Sequence, residues 1–531
     1  MARGNGTKSP LASNSKLETS SFSHDLPEND LQHVPSLGRD DLAAPTPEKN
    51  LEKGLEDDWE NDPANARNWS SGRKWTAAAI VSMYAFISPL ASSMMAPGLP
   101  EIAAKYHITN TSVLAMTLSI FLLSFAFGPL FLAPLSEMYG RTWLFNICNV
   151  LSIAFNLGCA YAPTTGALIG FRFLGMCHLR QRQPENTYFD TAGLSGSAPI
   201  ACGGGSISDL YSERDRASAM ALFTLGPLIG PAVGPIAGGF IAQTVSIKWV
   251  FIVIAVVCGV AALFGIPFLR ETYAPVLRYR KAVESRDPEK IAKAHAALVR
   301  GSEGRLAFMW MSFSRPAKIF FTSLTCFILS LYLAFMGGIY YLMFVTFASF
   351  FSQTYGFGPG IGGLAYLGLG IGFFIATFAG AKFADKVYKY LADKRGGKGT
   401  PEMRMPALFF GSFFVPIGLF WYGWSAQAKL HWMMPIVGSG IFGFGVVTTT
   451  LPILLYLVDA FEYAASATAA AYVLRSLLGF VFPLFGQQMF DTLGIGGGNS
   501  LLAGLAILLG IPFPVWIYYR GEAIRLKSRV Q

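Results

Sequence analysis

Nine stretches of this chain contain no Asp, Glu, Lys or Arg: residues 75–100, 112–135, 142–171, 217–247, 249–269, 319–381, 405–428, 430–458 and 492–519. Each is long enough for the roughly 20 residues that an α-helix needs to cross the hydrocarbon core, and several are long enough for two. Only a bilayer selects such a pattern. With 52% hydrophobic and 14% charged residues, the chain also falls outside the balance of a soluble domain. The fold class expected is an all-α membrane protein.

Breaking the runs at Gly/Pro and charged clusters places twelve spans, at 76–96, 113–135, 142–162, 164–209, 218–242, 249–269, 320–346, 362–384, 405–425, 432–457, 465–489 and 500–519. The net charge of +9 does not form a nucleic-acid stripe, because the basic residues sit between the apolar runs. They read as topology instead. Eleven Lys and Arg fall between Arg270 and Lys318 and seven between Lys382 and Arg404, with Arg141, Arg214, Arg216 and the basic C-terminus on the same side; the opposite loops hold Lys105, Lys248 and Lys429. Both termini and the central loop are therefore expected in the cytoplasm. Residues 1–72 are rich in Ser, Pro, Asn and acidic residues and are expected to be a disordered tail. Being polar, they are not expected to act as a cleavable signal peptide. The domains expected are this tail, a bundle over 73–269, a cytoplasmic loop over 270–318, a second bundle over 319–519 and a short tail over 520–531.

The six cysteines show no metal-ligand spacing and imply neither a disulfide framework nor a metal site. The sequon Asn110-Thr111-Ser112 lies in the first outer loop, where Asn110 is a candidate for glycosylation. A repeat marks the two halves: Ala133-Pro-Leu-Ser-Glu137-Met-Tyr-Gly140-Arg141 follows span 2, and Ala381-Lys-Phe-Ala-Asp385-Lys-Val-Tyr388-Lys389 follows span 8.

Span 4 is too long. Residues 177–192 interrupt it with Arg180, Arg182, Glu185 and Asp190, whose burial would cost on the order of 10 kcal/mol. Making the segment a loop between two spans changes the parity and breaks the positive-inside pattern. Gly175-Met176-Cys177 is encodable through GTATGT and Thr191-Ala192-Gly193 through CAG, the signals at the ends of a short intron. Two readings stay open: an in-frame intron retained in the coding sequence, which would displace Arg172 and yield a non-functional product, or a true insertion.

Span 5 reads Gly226-Pro227-Leu-Ile-Gly230-Pro231-Ala-Val-Gly234-Pro235 and continues to Gly238-Gly239. Glycines every four residues share one helix face and admit a neighbouring helix closely, while prolines kink the axis. This series resembles the antiporter motif of the major facilitator superfamily. The turn from Glu137 to Arg141 resembles that superfamily's loop motif, with Glu137 and Ala133 departing from the usual Asp and Gly. Arg172-Phe-Leu-Gly175 is similar to its buried-arginine motif, and Met95-Ala-Pro97-Gly-Leu-Pro100 to a drug-exporter proline motif. Further matches at Asp62-Pro-Ala-Asn-Ala-Arg-Asn68-Trp69-Ser70, Glu271-Thr-Tyr-Ala-Pro275 and Tyr456-Leu-Val-Asp459-Ala-Phe resemble the fungal twelve-span drug:proton antiporters. The resemblance covers residues 59 to about 520 and implies two six-helix bundles in a plasma membrane.

It also implies proton inflow driving export of small, mostly apolar compounds by alternating access. A polyamine or other metabolite exporter of the same family is the alternative. Arg172 and Arg475 are the charged side chains set deep in spans, outside the interrupting segment, and such residues usually face a polar cavity. Arg172 is a candidate for proton coupling or substrate contact, against a structural bond to backbone carbonyls. Glu137, Arg141 and Asp385 are candidates for a gating charge network. Asp209, Asp459 and Glu462 either join proton transfer or line a cytoplasmic rim. Tyr340, Tyr341, Phe223, Phe344 and Arg475 are the substrate-cavity candidates, with lipid or core packing as the plainer role for the aromatics. No Walker motif occurs, since Gly396-Gly-Lys398 is followed by Gly399, so neither ATP nor another cofactor is expected. The partners expected are a small-molecule substrate, protons and lipid, with no nucleic acid, around a monomer that is not an enzyme.

Overall fold

The computed structural model describes residues 59–174, 179–181, 189–191, 195–212, 215, 217–298, 305–396, 399–461 and 463–529. Ten helical stretches in it are long and apolar enough to cross a membrane. The last, Ala464–Arg525, holds two crossings, because Gly494 (φ 73°) breaks it. Phe482 meets Gly338 and Gly486 meets Leu342, whereas Gly510 returns to Tyr332 at the start of the same neighbouring helix. Span 4 supplies the twelfth crossing in two halves, Thr165–Leu174 and Ala198–Leu210, each too short alone.

The remaining spans are Ser71–Ser93, extended by Leu99–Lys105 (span 1), Thr111–Ser119 with Phe121–Tyr139 (span 2), Arg141–Ala160 (span 3), Ala217–Thr244 (span 5) and Ile247–Phe268 (span 6). The second half has Leu324–Tyr355 (span 7), Pro359–Lys394 (span 8), Met405–Gln427 (span 9) and Met433–Ala460 (span 10). Helices are the form available to these runs because lipid offers backbone N–H and C=O groups no partner.

Three expectations need correction. Residues 59–70 are ordered: two short 3-10 turns, Trp59–Asn61 and Ala66–Asn68, form a strap before span 1. Its asparagines tie it together, since Asn65 accepts the Arg67 N–H at 3.1 Å and donates to the Trp59 carbonyl at 3.1 Å, and Asn68 donates to the Asp62 carbonyl at 2.9 Å. The Lys281 ammonium bonded to Asp62, with the Ala64 N–H, holds that carboxyl below its ordinary range. Residues 1–58 lie outside the described residues.

The central segment, expected as a loop over 270–318, contains three helices: Ala274–Ser285, Pro288–Leu298 and Arg305–Thr322. The third ends four residues beyond the expected border. It packs against span 2, with Phe313 and Phe131 ring centres 4.3 Å apart, and lays Arg315 over the Tyr463 ring at the start of span 11, 4.9 Å from its centre. At the far end the two halves meet directly: the Ser112 hydroxyl donates to the Leu484 carbonyl at 2.7 Å, and the Gly360 N–H to Gln243 Oε1 at 2.9 Å.

The third correction concerns span 4. Within the interrupting segment Leu179–Gln181 pairs antiparallel with Phe189–Thr191, so the insertion turns back on itself as a hairpin. Arg172 on one side of it and Gly196 and Pro199 on the other line a single cavity. Arg172 is therefore not displaced, because the hairpin returns the chain to where it left the helix. Residues 175–178, 182–188 and 192–194 lie outside the described residues, as do Arg214, Arg216 and Glu462.

Candidate functional site

Span 3 carries Asn149, Ser152, Asn156 and Cys159 on one face, at the three- and four-residue spacing of a helix, and that face closes a chamber of about 60 Å3 with Arg172. Tyr84 and Ser88 of span 1 add hydroxyls, and Phe121, Phe155 and Phe171 add apolar walls. Most of these polar groups are occupied by the protein. Asn149 donates to the Cys258 carbonyl at 2.8 Å, Tyr84 bonds Asn146 at 3.2 Å, and Ser88 donates to the Gly196 carbonyl.

Arg172 is the exception. It is 6% exposed, its Nε and Nη2 have no hydrogen-bond partner among the described residues, and the Phe121 and Phe251 rings stand 5.7 and 6.0 Å from it. Among the described residues, no carboxylate lines the chamber. An unpaired guanidinium held this way costs several kcal/mol. The volume admits a few waters but not a drug-sized compound, which needs roughly 300 Å3 or more.

A second cluster of charge lies at the end of the bundles that bears the central segment. Arg141, the first residue of span 3, reaches Asp209 at the end of span 4 (Nε to Oδ2 2.7 Å) and donates to the Cys202 carbonyl at 3.2 Å. Gly205 makes room, since a Cβ there would strike the Arg141 guanidinium. Glu271, in the connection past span 6, accepts the backbone N–H groups of Arg141 and Thr142 at 3.0 and 3.2 Å and so caps span 3 from a distant part of the chain. Composition gave no warning of this role, although the Glu271-Thr-Tyr-Ala-Pro275 match marked the place. Glu137 is half-buried in the last turn of span 2.

The second copy of the loop motif behaves differently. Gly140 ends span 2 at φ 104°, a conformation that strongly favours glycine. Tyr388 stands at the matching position, so the helix runs on to Lys394 and leaves Asp385 and Lys389 exposed on its surface. Among the described residues, Asp385 has no ion pair; the charge contacts of this half form instead between Arg404 and Asp459 at 3.1 Å and between Arg525 and Glu402 at 3.2 Å. The expected network at Asp385 is thus corrected to these pairs.

The Gly-Pro series faces two neighbours. A Cβ on Gly226 would lie 2.9 Å from the Phe86 nitrogen, one on Gly230 3.0 Å from the Leu90 nitrogen, and those on Gly234 and Gly238 would strike Ser93 and the Met94 carbonyl, all on span 1. On the other side, Gly363 of span 8 abuts the Pro235 carbonyl. Pro227 and Pro231 lie inside the same unbroken helix.

Four of the five cavity candidates cluster on span 7 and the facing part of span 11: the ring centres of Tyr340, Tyr341 and Phe344 lie 4.9–6.3 Å apart, with Arg475 packed over Gly337 beside them, while Phe223 stands apart. Tyr340 and Phe344 are 5% and 2% exposed and stack with each other, with Phe373 and with Tyr366 at 4.8–5.5 Å, filling the second bundle. Phe223 lies in the first bundle, where it fills the notch left by Gly203. Tyr341 and Arg475 are half-buried where span 7 meets span 11, with Tyr341 3.1 Å from the Cβ position of Gly479 and Arg475 packed over Gly337. None of these five lines the Arg172 chamber. Asn110 is exposed and caps the helix that follows, accepting the Ser112 N–H at 2.9 Å.

The family model described as Major Facilitator Superfamily matches residues 81–483. The MFS transporter cpaT of Aspergillus oryzae is 42% identical over 475 residues, covering 89% of this chain and 92% of its own. The efflux pump radE of Floropilus chiversii is 41% identical over 478 residues, covering 89% and 85%. A solved D-xylose-proton symporter shares the fold at a TM-score of 0.58 and 13% identity, over 83% of this chain and 98% of that one. Family match, relatives and helical architecture agree: this chain is a membrane transporter and belongs to the major facilitator superfamily.

Proposed function

We propose that this transporter exports small, mostly apolar compounds in exchange for protons, by alternating access, with both termini and the central segment in the cytoplasm of a cell bounded by its plasma membrane. The observation that carries the coupling is Arg172, a buried guanidinium with two unpaired nitrogens in a chamber that fits water but not substrate. Such a group repels a proton-borne positive charge and attracts an acceptor, so its occupancy and the opening of the bundles are energetically linked. The Arg141–Asp209 and Arg404–Asp459 pairs supply contacts that can latch one conformation. Export, rather than uptake, is supported by relatives such as the efflux pumps radE and vrtL, the latter from Penicillium aethiopicum and 41% identical over 477 residues.

Among the described residues, the buried carboxylates are Glu271 and Glu402 and the mostly buried one is Asp209, all engaged at helix ends. No unpaired buried carboxylate stands in the described parts of the spans, which weighs against polyamines as cargo. Expression in a pump-deficient yeast is expected to lower accumulation of fluorescent apolar compounds, and a protonophore to abolish the effect. Unchanged accumulation across a broad panel would exclude export.

The hairpin bears on this function through span 4. A chain lacking residues 177–192 is expected to transport at least as well as the full chain. Inactivity of the shortened chain would show the insertion to be native, and transcript sequencing would show whether the segment is carried in the message.

A further inference from the structure

Arginines from three separate elements converge on one open cavity of about 640 Å3: Arg73 on the first turn of span 1, Arg270 just past span 6, and Arg280 on the helix Ala274–Ser285. None of the three has an ion pair among the described residues. The single carboxylate in the wall, Glu271, is already engaged by the backbone of span 3. Among the described residues, the site therefore carries a positive charge that no ion pair compensates.

Its other walls place it at the membrane surface. The indoles of Trp69 and Trp143 line it, Arg73 lies 3.9 Å over the Trp69 ring, and tryptophan is the residue of the boundary between headgroups and acyl chains. Directly before Arg270, span 6 turns Phe264, Ile266 and Phe268 outward, each about half exposed or more. A ligand seated among the arginines would thus continue onto an apolar surface facing lipid. The strap that forms one wall is fastened independently, through Asp62 to Lys281 and through Arg278 over Trp59 at 5.0 Å.

We propose that this cavity binds the headgroup of an anionic membrane lipid bearing a phosphomonoester, with Arg73, Arg270 and Arg280 meeting the phosphate oxygens and the acyl chains lying along span 6. Guanidinium forks match phosphate geometry, and a basic pocket among helix ends is a form that lipid headgroup sites take. A lipid held there bridges the strap, span 1 and the first central helix.

The full-length protein in phosphatidylcholine nanodiscs, titrated with short-chain phosphatidylinositol 4-phosphate and read by native mass spectrometry, tests this. Binding is expected to weaken about 5-fold for each of R73Q, R270Q and R280Q, and on the order of 100-fold for the triple variant. The triple lysine variant should retain most of the binding. All three side chains are exposed, so thermal midpoints report whether each variant is folded, and the single variants serve should the triple one fail. Undiminished lipid binding by the folded variants would overturn the assignment. Binding of inorganic phosphate or soluble inositol phosphate as tight as that of the lipid would equally overturn it, assigning the site to a free phosphate.

Discussion

Arg141 Nε stands 2.7 Å from Asp209 Oδ2, joining the start of the third span to the end of the fourth, and Arg404 and Asp459 repeat the relationship in the second half at 3.1 Å. The third corner is also repeated with its charges exchanged. In the first half, Glu271 reaches from beyond span 6 to the start of span 3; in the second, Arg525 reaches from beyond span 12 to Glu402 before span 9. The duplication thus survives as a pattern of helix ends held together and not as a conserved loop sequence.

The Arg141–Asp209 pair is mostly buried, so removing one partner leaves the other uncompensated, at a cost of about 2 kcal/mol between the limits for buried and surface pairs. D209N and R141Q are expected to reduce transport in the yeast accumulation assay at least several-fold. The exchange R141D/D209R should recover part of it, because the pair is re-formed while the bond to the Cys202 carbonyl is lost. Recovery to no more than either single variant would mean that each residue acts alone.

R172Q separates coupling from structure. A guanidinium that bonds backbone carbonyls would stabilise span 4, and its loss would lower the thermal midpoint. Here two of its nitrogens are unpartnered, so R172Q is expected to leave the midpoint unchanged or to raise it by a few degrees, while proton-driven export falls at least tenfold. R172K should restore charge without the fork and remain impaired. A lowered midpoint with export retained would assign Arg172 to packing.

The crossings were legible in the sequence because lipid imposes one rule on every span, and Arg172 stood out as a charge where lipid tolerates few. The partner of Arg141 was less legible, because its charge network joins three distant parts of the chain and no spacing encodes that. One signal was available: the repeat places Tyr388 opposite Gly140, and a tyrosine cannot readily adopt φ 104°, so the second copy had to continue as helix. Phe223 stands apart from Tyr340, Tyr341 and Phe344 for a different reason. An aromatic side chain in a span can line a cavity or fill a bundle, and only the neighbouring glycines and rings decide which.

Span 5 offers a test of packing against an internal control. A methyl on Gly226 would lie 2.9 Å from the Phe86 backbone, which cannot rotate away, whereas Gly259 of span 6 has nothing within 4 Å. G226A is expected to force spans 1 and 5 apart, costing about 1–3 kcal/mol and lowering the yield of monodisperse protein by size-exclusion chromatography. G259A should leave yield and thermal midpoint unchanged. Equal behaviour of the two variants would mean that the two helices are not clamped as described.

Gly140 tests whether the cap from Glu271 depends on the turn. At φ 104° and ψ 150° the residue occupies a region essentially closed to other amino acids, and a Cβ would also strike the Glu271 carboxylate. G140A therefore combines backbone strain with loss of the bonds to the Arg141 and Thr142 N–H groups, for a total of about 3 kcal/mol. Gly396, at φ 72° with open space around it, carries only the milder strain of a smaller positive φ, so G396A should cost only about 1 kcal/mol. E271A removes the cap without the strain. If turn and cap are one device, the G140A/E271A double variant should lose less stability than the sum of the singles, because the cap can be lost only once. Full additivity in thermal denaturation would show the turn and the cap to act independently.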